Sequence, residues 1–248
     1  MFKNNFMKSL VTISLLLFSL FSFSQKKTLD HSDYDIWKTI ESPTISGNGD
    51  FVMYSLEKGE KDQFLKLKNK KGRLIFAYDR AENGKFTYDS KYAIFSIKAW
   101  KDSIVELKRQ MVKKENMPKD SLGIFNLESN SLEKIADIKS YKVPERWSGF
   151  IAYTIDATHS ESEDKKEKTD KDSTNVKDSK KPGDKSGYPL ILRNLKTSEE
   201  DTIPFVTNYY FAREASTLIY TSTGNADDEN AGVFVFDLES MTSQHIYR

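Results

Sequence analysis

The sequence predicts an all-β protein that is assembled from a repeated unit. At four places, a turn-rich segment leads into a short aromatic and β-branched run. Gly, Asn, Asp and Ser favour the turn, and the run after it is typical of a half-buried strand. The four copies lie at Ile45–Ser55, Thr87–Ser96, Arg146–Thr154 and Ala212–Thr221.

A second recurring element indicates the size of the unit. An apolar strand ends on Asn or Asp before a polar turn in Phe125-Asn-Leu127, Arg193-Asn-Leu195 and Phe236-Asp-Leu238, with a weaker copy in Leu67-Lys-Asn69. Without insertions the spacing is about 40 residues, the size of one four-stranded propeller blade. A sandwich of many short strands is the alternative, but the repeat favours a partial β-propeller of about four blades of short antiparallel strands, over residues 43–248.

The strands are predicted from short apolar runs between turn signals. They are Phe51–Leu56, Phe64–Lys68, Arg73–Tyr78, Phe86–Tyr88, Tyr92–Ile97, Leu122–Leu127, Leu132–Ile138, Phe150–Ile155, Leu190–Leu195, Asp201–Val206, Tyr209–Phe211, Leu218–Ser222, Gly232–Leu238 and Gln244–Tyr247. Tyr54 and Phe95 occupy matching positions in two copies of the unit, and we expect both to pack between blades.

Two surface insertions interrupt the repeat. Residues 101–120 are charged and helix-compatible, with a partial apolar face, which predicts a helix at a blade edge. Residues 159–187 are rich in Lys, Asp and Glu and nearly devoid of aliphatic side chains. Such a segment buries too little apolar surface to offset its ordering entropy, so we predict a disordered, solvated loop whose deletion leaves folding intact.

The N-terminus has the layout of a secretory signal peptide. Lys3 and Lys8 precede an apolar run, and Ser22 and Ser24 lie at small-residue positions before Gln25. The run is about 14 residues long, shorter than the roughly 20 that span a bilayer, which disfavours an uncleaved anchor. We expect cleavage near Ser24/Gln25 and export to the periplasm or the medium, without a stable membrane anchor.

A lead segment, residues 25–42, follows the signal peptide. Ser32 is suited to cap a short helical turn. We expect Trp37 and Ile40 to plug against the following domain, because packing is the usual role of a lone Trp.

Composition excludes several classes of function. The chain of 248 residues carries 38 Lys and Arg against 37 Asp and Glu, a formal charge of +1, so binding to nucleic acid is not expected. It contains no cysteine, which excludes disulfides, thiolate metal sites and cysteine catalysis. His31, His159 and His245 are far apart and lack the spacing of metal ligands.

No motif for catalysis is present. The chain has no Gly-x-Ser-x-Gly elbow, no phosphate-binding glycine loop and no His-Glu-x-x-His sequence. Glu199–Asp201 and Asp227–Glu229 are acidic triplets that could hold a cation or an amine, but both read as solvated turns. We therefore predict no catalytic, cofactor-binding or metal-binding residue.

Several segments together resemble exported bacterial peptidases of the prolyl oligopeptidase family. They are Asp33-Tyr-Asp-Ile-Trp37, Ile45–Tyr54, Met117–Ile124, the charged insertion and Leu190–Thr197, in that order. The resemblance covers roughly residues 28–248. It implies an N-terminal β-propeller that caps a C-terminal α/β-hydrolase domain and limits access to peptide-sized substrates.

The resemblance does not supply catalytic residues, because in that family they lie in the hydrolase domain, which this sequence lacks. Some relatives bind the substrate's amino terminus with paired glutamates, but Glu199 and Glu200 lie in a predicted hairpin, so that role is not transferred. We expect a non-catalytic substrate-gating scaffold, inactive alone, from a truncated or incomplete gene product. The alternatives are a stand-alone exported binding module of the cell envelope and a structural repeat protein without a ligand.

Overall fold

The computed structural model describes residues 37–59, 61–156, 185–224 and 231–247, together with positions 28, 30, 33 and 183. The predicted signal peptide 1–24, most of the charged insertion 159–187, and Ser32, Tyr34 and Ile36 of the predicted helical turn lie outside these residues, whereas Trp37 is described and lies in no helix.

The described part of the chain is almost entirely β-structure. It contains one α-helix, α1 (Lys101–Arg109), and one 3₁₀ turn, Lys114–Asn116. The strands are β1 (Thr39–Ile45), β2 (Phe51–Glu57), β3 (Phe64–Asn69), β4 (Leu74–Asp79), β5 (Ala81–Phe86), β6 (Tyr92–Ile97), β7 (Asp120–Asn126), β8 (Ser131–Lys142), β9 (Phe150–Ile155), β10 (Tyr188–Asn194), β11 (Glu200–Phe211), β12 (Thr217–Thr223), β13 (Ala231–Asp237) and β14 (Thr242–Tyr247).

Strands that are neighbours in sequence pair antiparallel, except β4 and β5, which belong to different sheets. β1 to β4 form one sheet, and β5 to β14 form a continuous meander. The long strands β8 and β11 each pair first with the preceding strand and then with the following one. The chain is therefore organised as four blades: blade I (β1–β4), blade II (β5 to the first part of β8), blade III (second part of β8 to the first part of β11) and blade IV (second part of β11 to β14).

A residue in the left-handed backbone region lies at each crossing between blades. The φ angles of Arg80, Asp137 and Phe205 are 62°, 56° and 56°, which is uncommon for residues other than glycine. Hydrogen bonds hold the first crossing on both sides: the Arg80 N–H donates to Gln63 O at 2.7 Å, and its carbonyl accepts from the Lys98 N–H at 2.9 Å. The crossing thus belongs to both blades, and it lets one strand leave a blade and open the next.

The hydrophobic core is divided into three clusters, one at each junction between successive blades. The clusters, in chain order, are Met53, Leu65, Leu67, Ala81, Ala93, Phe95, Ile97, Phe125 and Leu127; Ile94, Leu122, Ile124, Ile138, Ile151, Tyr153, Ile191 and Leu195; and Ala152, Leu190, Leu192, Val206, Tyr209, Leu218, Tyr220, Phe236 and Leu238. Face-to-face packing of blades, rather than one central core, holds this protein together. The predicted all-β partial propeller is confirmed.

The aromatic residue predicted to pack between blades does so in blade II but not in blade I. Phe95 is fully buried, with its ring centroid 5.8 Å from that of Phe76 and 6.2 Å from that of Tyr78, both in blade I. Tyr54 lies on the face of blade I that is turned away from blade II, half-buried and with Lys68 over its ring. Met53, its neighbour, enters the junction instead. The prediction for Tyr54 is wrong because no other described blade covers that face.

The first strands of the blades differ most from the predicted ones. β1 begins at Thr39, ahead of residue 43, where we predicted the propeller to begin, and β5 covers Ala81–Phe86 rather than Phe86–Tyr88. Trp37 and Ile40 are 57% and 59% exposed, so the predicted plug is wrong: Ile40 pairs with Leu56 as part of a strand.

The first insertion forms helix α1, which contains no buried residue. Within the described residues, no helix is long and apolar enough to cross a membrane.

Candidate functional site

The first strands of all four blades end around a single concave surface, which we call the axial cleft. It has a volume of about 740 Å³. Its walls are the ends of β1, β5, β8 and β11 and the residues that follow them. The charged lining side chains and two of the aromatic ones are Lys85, Tyr88, Lys142, Glu145, Tyr210 and Arg213. No other concave surface described here takes residues from all four blades.

Hydrogen bonds between first strands support the floor of the cleft. The Tyr141 hydroxyl donates to the carbonyl of Asn83 at 2.5 Å, which joins β8 to β5. The hydroxyl groups of Tyr209 and Ser140 lie 2.8 Å apart and join β11 to β8. Burial raises the pKa of Tyr141, and burial raises that of Tyr209 to about 12, so both phenols are neutral and keep their protons at physiological pH.

The rim of the cleft is tied together by the loops that follow β8 and β11. Arg146 Nη1 lies 2.7 Å from Glu214 Oε1, and Arg213 Nε lies 3.6 Å from Glu145 Oε2. The Trp147 indole N–H donates to the carbonyl of Ala212 at 2.9 Å. The ion pairs are exposed and contribute little stability, but with the indole hydrogen bond they fix the position of one loop relative to the other.

The ammonium group of Lys142, on the inner surface of the cleft, contacts two aromatic rings. Lys142 Nζ lies 3.4 Å from the ring centroid of Tyr210 and 5.4 Å from that of Tyr209. Both distances fit cation–π contacts. Partial burial, and then repulsion from the charge of Lys85, lower the pKa of Lys142. The cleft is thus positively charged and has aromatic walls.

A larger cleft of about 1040 Å³ lies between α1 and blade I. Some of its polar groups are already engaged: Lys101 bonds to Asp62 through its N–H and to Lys61 O through its Nζ. Because this cleft is lined only by residues between 38 and 79 and between 99 and 108, whereas the axial cleft takes residues from all four blades, we regard the axial cleft as the better candidate site.

The central carboxylate of the acidic triplet Glu199–Asp201 is engaged within the protein. Glu200 Oε1 accepts from Arg193 Nη1 at 2.5 Å and from the Tyr153 hydroxyl at 2.7 Å. Arg193 also bonds to both carboxylate oxygens of Glu133 at 2.7 Å, across the junction from blade II. Arg193 is 7% exposed, and a buried guanidinium needs such partners. Glu200 therefore contributes to the packing of blades II and III.

Of the remaining residues considered in the sequence, the structure describes only His245. Asp227–Glu229, His31 and His159 lie outside the described residues. The His245 ring stacks on Phe234 at a centroid distance of 4.6 Å. No group of three or more His, Asp or Glu side chains is placed to hold a metal in the part of the chain that the structure describes.

Sequence reasoning missed the residues of the axial cleft. A signal was present: Tyr and Lys cluster at Lys85–Tyr88, Tyr141–Lys142 and Tyr209–Tyr210, just ahead of the turn-and-strand unit or overlapping its start. Nothing in the sequence, however, shows that segments so far apart meet at one place, because that follows from how the blades are arranged around an axis.

Comparison with known proteins identifies similar folds but not a family. No protein-family model and no curated protein matches the chain. One of two prolyl endopeptidases studied for inter-domain dynamics superposes with a TM-score of 0.51 at 12% identity, covering 85% of this chain and 29% of that one. At this identity the likeness shows the fold alone, an all-β propeller.

Two archaeal structures are similar with lower scores. The β-propeller domain of the Trilobed protease from Pyrococcus furiosus gives a TM-score of 0.49 at 12% identity, covering 86% of this chain and 57% of that one. An acylaminoacyl peptidase from Pyrococcus horikoshii gives 0.47 at 9% identity, covering 90% of this chain and 34% of that one. The chain therefore spans less than two thirds of each of these proteins.

Proposed function

We propose that this chain is the non-catalytic propeller part of an exported peptidase of the prolyl oligopeptidase family. In this proposal an α/β-hydrolase domain performs the hydrolysis, and the propeller admits peptide-sized substrates and excludes whole proteins. Three features support it: the ordered sequence resemblance, the fold shared with a prolyl endopeptidase, and the signal-peptide layout of residues 1–24.

The axial cleft is the observation that carries the gating role. Its volume of about 740 Å³ lies within the range of about 300–1,000 Å³ that is usual for sites that hold small molecules. A cleft of this size accommodates a few residues of extended peptide and is too small for a folded domain. Its rim is braced by the ion pairs and the indole hydrogen bond between the loops after β8 and β11.

The reading frame beyond the codon for Arg248 tests the assignment. Further blades followed by a Gly-x-Ser-x-Gly elbow are the expected result, and a stop codon followed by unrelated sequence would favour a stand-alone binding module. The 248-residue chain itself should not react with a fluorophosphonate probe, and clear labelling would refute its non-catalytic role. N-terminal sequencing of the exported protein should begin at Gln25.

Side chains at the mouth of the cleft test gating in the whole gene product. Tyr88→Ala together with Tyr210→Ala removes two exposed rings from the walls. We expect faster cleavage of an unfolded protein such as casein, with little change for a short chromogenic peptide that carries no carboxylate. Tyr247→Ala, which removes an exposed ring in β14 away from the cleft, is the matched control. An unchanged ratio of the two rates would contradict gating by this cleft.

A further inference from the structure

The axial cleft contains positive charge that the protein does not balance. The described lining residues include three basic side chains, those of Lys85, Lys142 and Arg213, and one acidic side chain, that of Glu145. Glu145 lies beside Arg213, with 3.6 Å between Oε2 and Nε. Two ammonium groups, those of Lys85 and Lys142, are left without an ion-pair partner among the described residues.

Lys98, another partly buried lysine, is paired with carboxylates. Lys98 Nζ lies 2.6 Å from Asp120 and 3.3 Å from Glu82. Hydrogen bonding and attraction to these carboxylates outweigh burial and raise the pKa of Lys98. Lys142 is the opposite case, because burial and the charge of Lys85 lower its pKa. Bringing two cations together without a carboxylate is unfavourable, and a bound anion would relieve the repulsion.

The geometry of Lys142 suits it to hold an anion. The rings of Tyr209 and Tyr210 position its ammonium group by cation–π contacts. An ammonium group has three donors, so the contact with the rings leaves donors available for a ligand. Tyr88 and Tyr210, 57% and 59% exposed, offer ring surface beside it for an extended chain.

We propose that the axial cleft binds the carboxylate of a peptide, with Lys85 and Lys142 as the anion-binding pair and Tyr88 and Tyr210 as walls for the adjoining residues. This proposal rests on the proposed function, because its ligand is the peptide that the propeller admits. An acidic side chain and a C-terminal carboxylate share this chemistry. The charge-assisted contact is the source of affinity, and the rings supply apolar contact area.

Binding of three short peptides to the 248-residue chain tests the proposal by calorimetry. The first is a five-residue peptide of alternating alanine and glutamate, blocked at both ends. The second has glutamine in place of glutamate, and the third is pentaalanine with a free C-terminal carboxylate. We expect the glutamate peptide, the free-carboxylate peptide or both to bind at least about tenfold more tightly than the glutamine peptide. Binding of only one identifies the source of the carboxylate.

Substitution of the two lysines locates the site. Lys85→Gln with Lys142→Gln should weaken binding of the carboxylate peptide by about tenfold or more and remove most of its salt dependence. Lys134→Gln is the matched control, because Lys134 also lies near a tyrosine ring, that of Tyr78 at 5.9 Å, but outside the cleft. Lys85→Gln alone changes an exposed side chain and serves as the variant that preserves the fold.

Equal affinity for the glutamine peptide and both carboxylate peptides would overturn the proposal, and so would unchanged binding in the double variant. Because no hydrolysis is measured, these outcomes leave the gating role standing. Conversely, the chain could bind carboxylate peptides tightly while its gene encodes no hydrolase. That result would reject the proposed function but would support the carboxylate-binding site in the axial cleft.

Discussion

One side-chain oxygen organises the turn between the third and fourth strands of each blade. Asn69, Asn126, Asn194 and Asp237 occupy the same position, and the Oδ1 of each accepts two backbone N–H groups from the turn that follows. Asn and Asp favour such turns because their short side chains reach the backbone two residues ahead. This hydrogen-bonding arrangement explains why Asn or Asp recurs at the end of the third strand of each blade, a pattern that is visible in the sequence alone.

Asp237→Asn should make the free energy of unfolding less dependent on pH in acid while preserving the turn. Hydrogen bonds from the backbone N–H groups of Ser240 and Glu239 lower the pKa of Asp237 below its ordinary value of 3.8. The carboxylate therefore adds stability above pH 3.8, and that stability is lost as the pH falls through the lowered pKa. Asn keeps the acceptor without the charge, as the other three blades do.

Urea unfolding of both proteins between about pH 2 and pH 7 checks this prediction. On going from neutrality to the acid end, the wild-type protein should lose more stability than the Asp237→Asn protein. NMR titration of the Asp237 carboxyl group should give a value below 3.8. A titration at or above that value would show that the turn does not hold the charged form.

At the scale of the elements, the second and third strands of the blades were largely predictable and the first strands were not. β2, β3, β6, β7, β9, β10, β12 and β13 carry aromatic and branched residues that are buried between blades. β5, by contrast, reads Ala-Glu-Asn-Gly-Lys-Phe and contains Asn83 at a φ of 55°. Because first strands line the axis and carry bulges, they need no alternating apolar pattern, and the sequence rules do not detect them.

The junction between blades I and II depends on a glycine. Gly123 lies opposite Phe95 in the neighbouring strand, and a Cβ atom at Gly123 would lie 2.7 Å from Cζ of that ring. Phe95 is fully buried among blade I residues and cannot move aside freely. Gly123→Ala should therefore destabilise the protein by about 1–3 kcal/mol through overpacking, measured by urea unfolding.

A double variant distinguishes overpacking from a change in backbone propensity. Phe95→Leu removes the ring edge that the new methyl group meets. Gly123→Ala with Phe95→Leu should therefore be more stable than the sum of the single effects predicts. Strict additivity would indicate that the ring is not the cause.

At the scale of the whole molecule, three of the four blades have one face covered by the next blade. Facing pairs of second- and third-strand residues are buried in each of these blades: Met53 with Leu67, Ile94 with Ile124, and Ala152 with Leu192. The equivalent pair in blade IV is Ile219 with Val235. Ile219 is 42% exposed, whereas Met53, Ile94 and Ala152 are at most 1% exposed. An apolar face is therefore left open on blade IV of the described structure.

This face should cause the 248-residue chain to associate with itself at high concentration, because contiguous exposed apolar surface promotes association. Ile219→Ser with Val235→Thr should lower the average mass measured by light scattering across a concentration series. Lys66→Ser with Lys68→Ser, on the far face of blade I, is the control and should not lower it. A wild-type chain that stays monomeric throughout the series would contradict the prediction.

The axial cleft belongs to this largest scale, and for that reason the sequence did not predict it. Lys85, Lys142 and Tyr210 are each ordinary surface residues in their own blades. Their common surface arises only when three junctions have set the angle between one blade and the next. The export signal and most of the charged loop 159–187 fall outside the described residues and stay predictions.

The strict meander has a consequence for the order in which the protein forms. Every described strand finds its partner immediately before or after it in the chain, so no pairing waits for a distant segment. A chain of this kind is suited to acquire structure from its N-terminal end as it is synthesised or emerges from a narrow pore. Each completed blade then presents a template of buried side-chain positions on which the next one assembles.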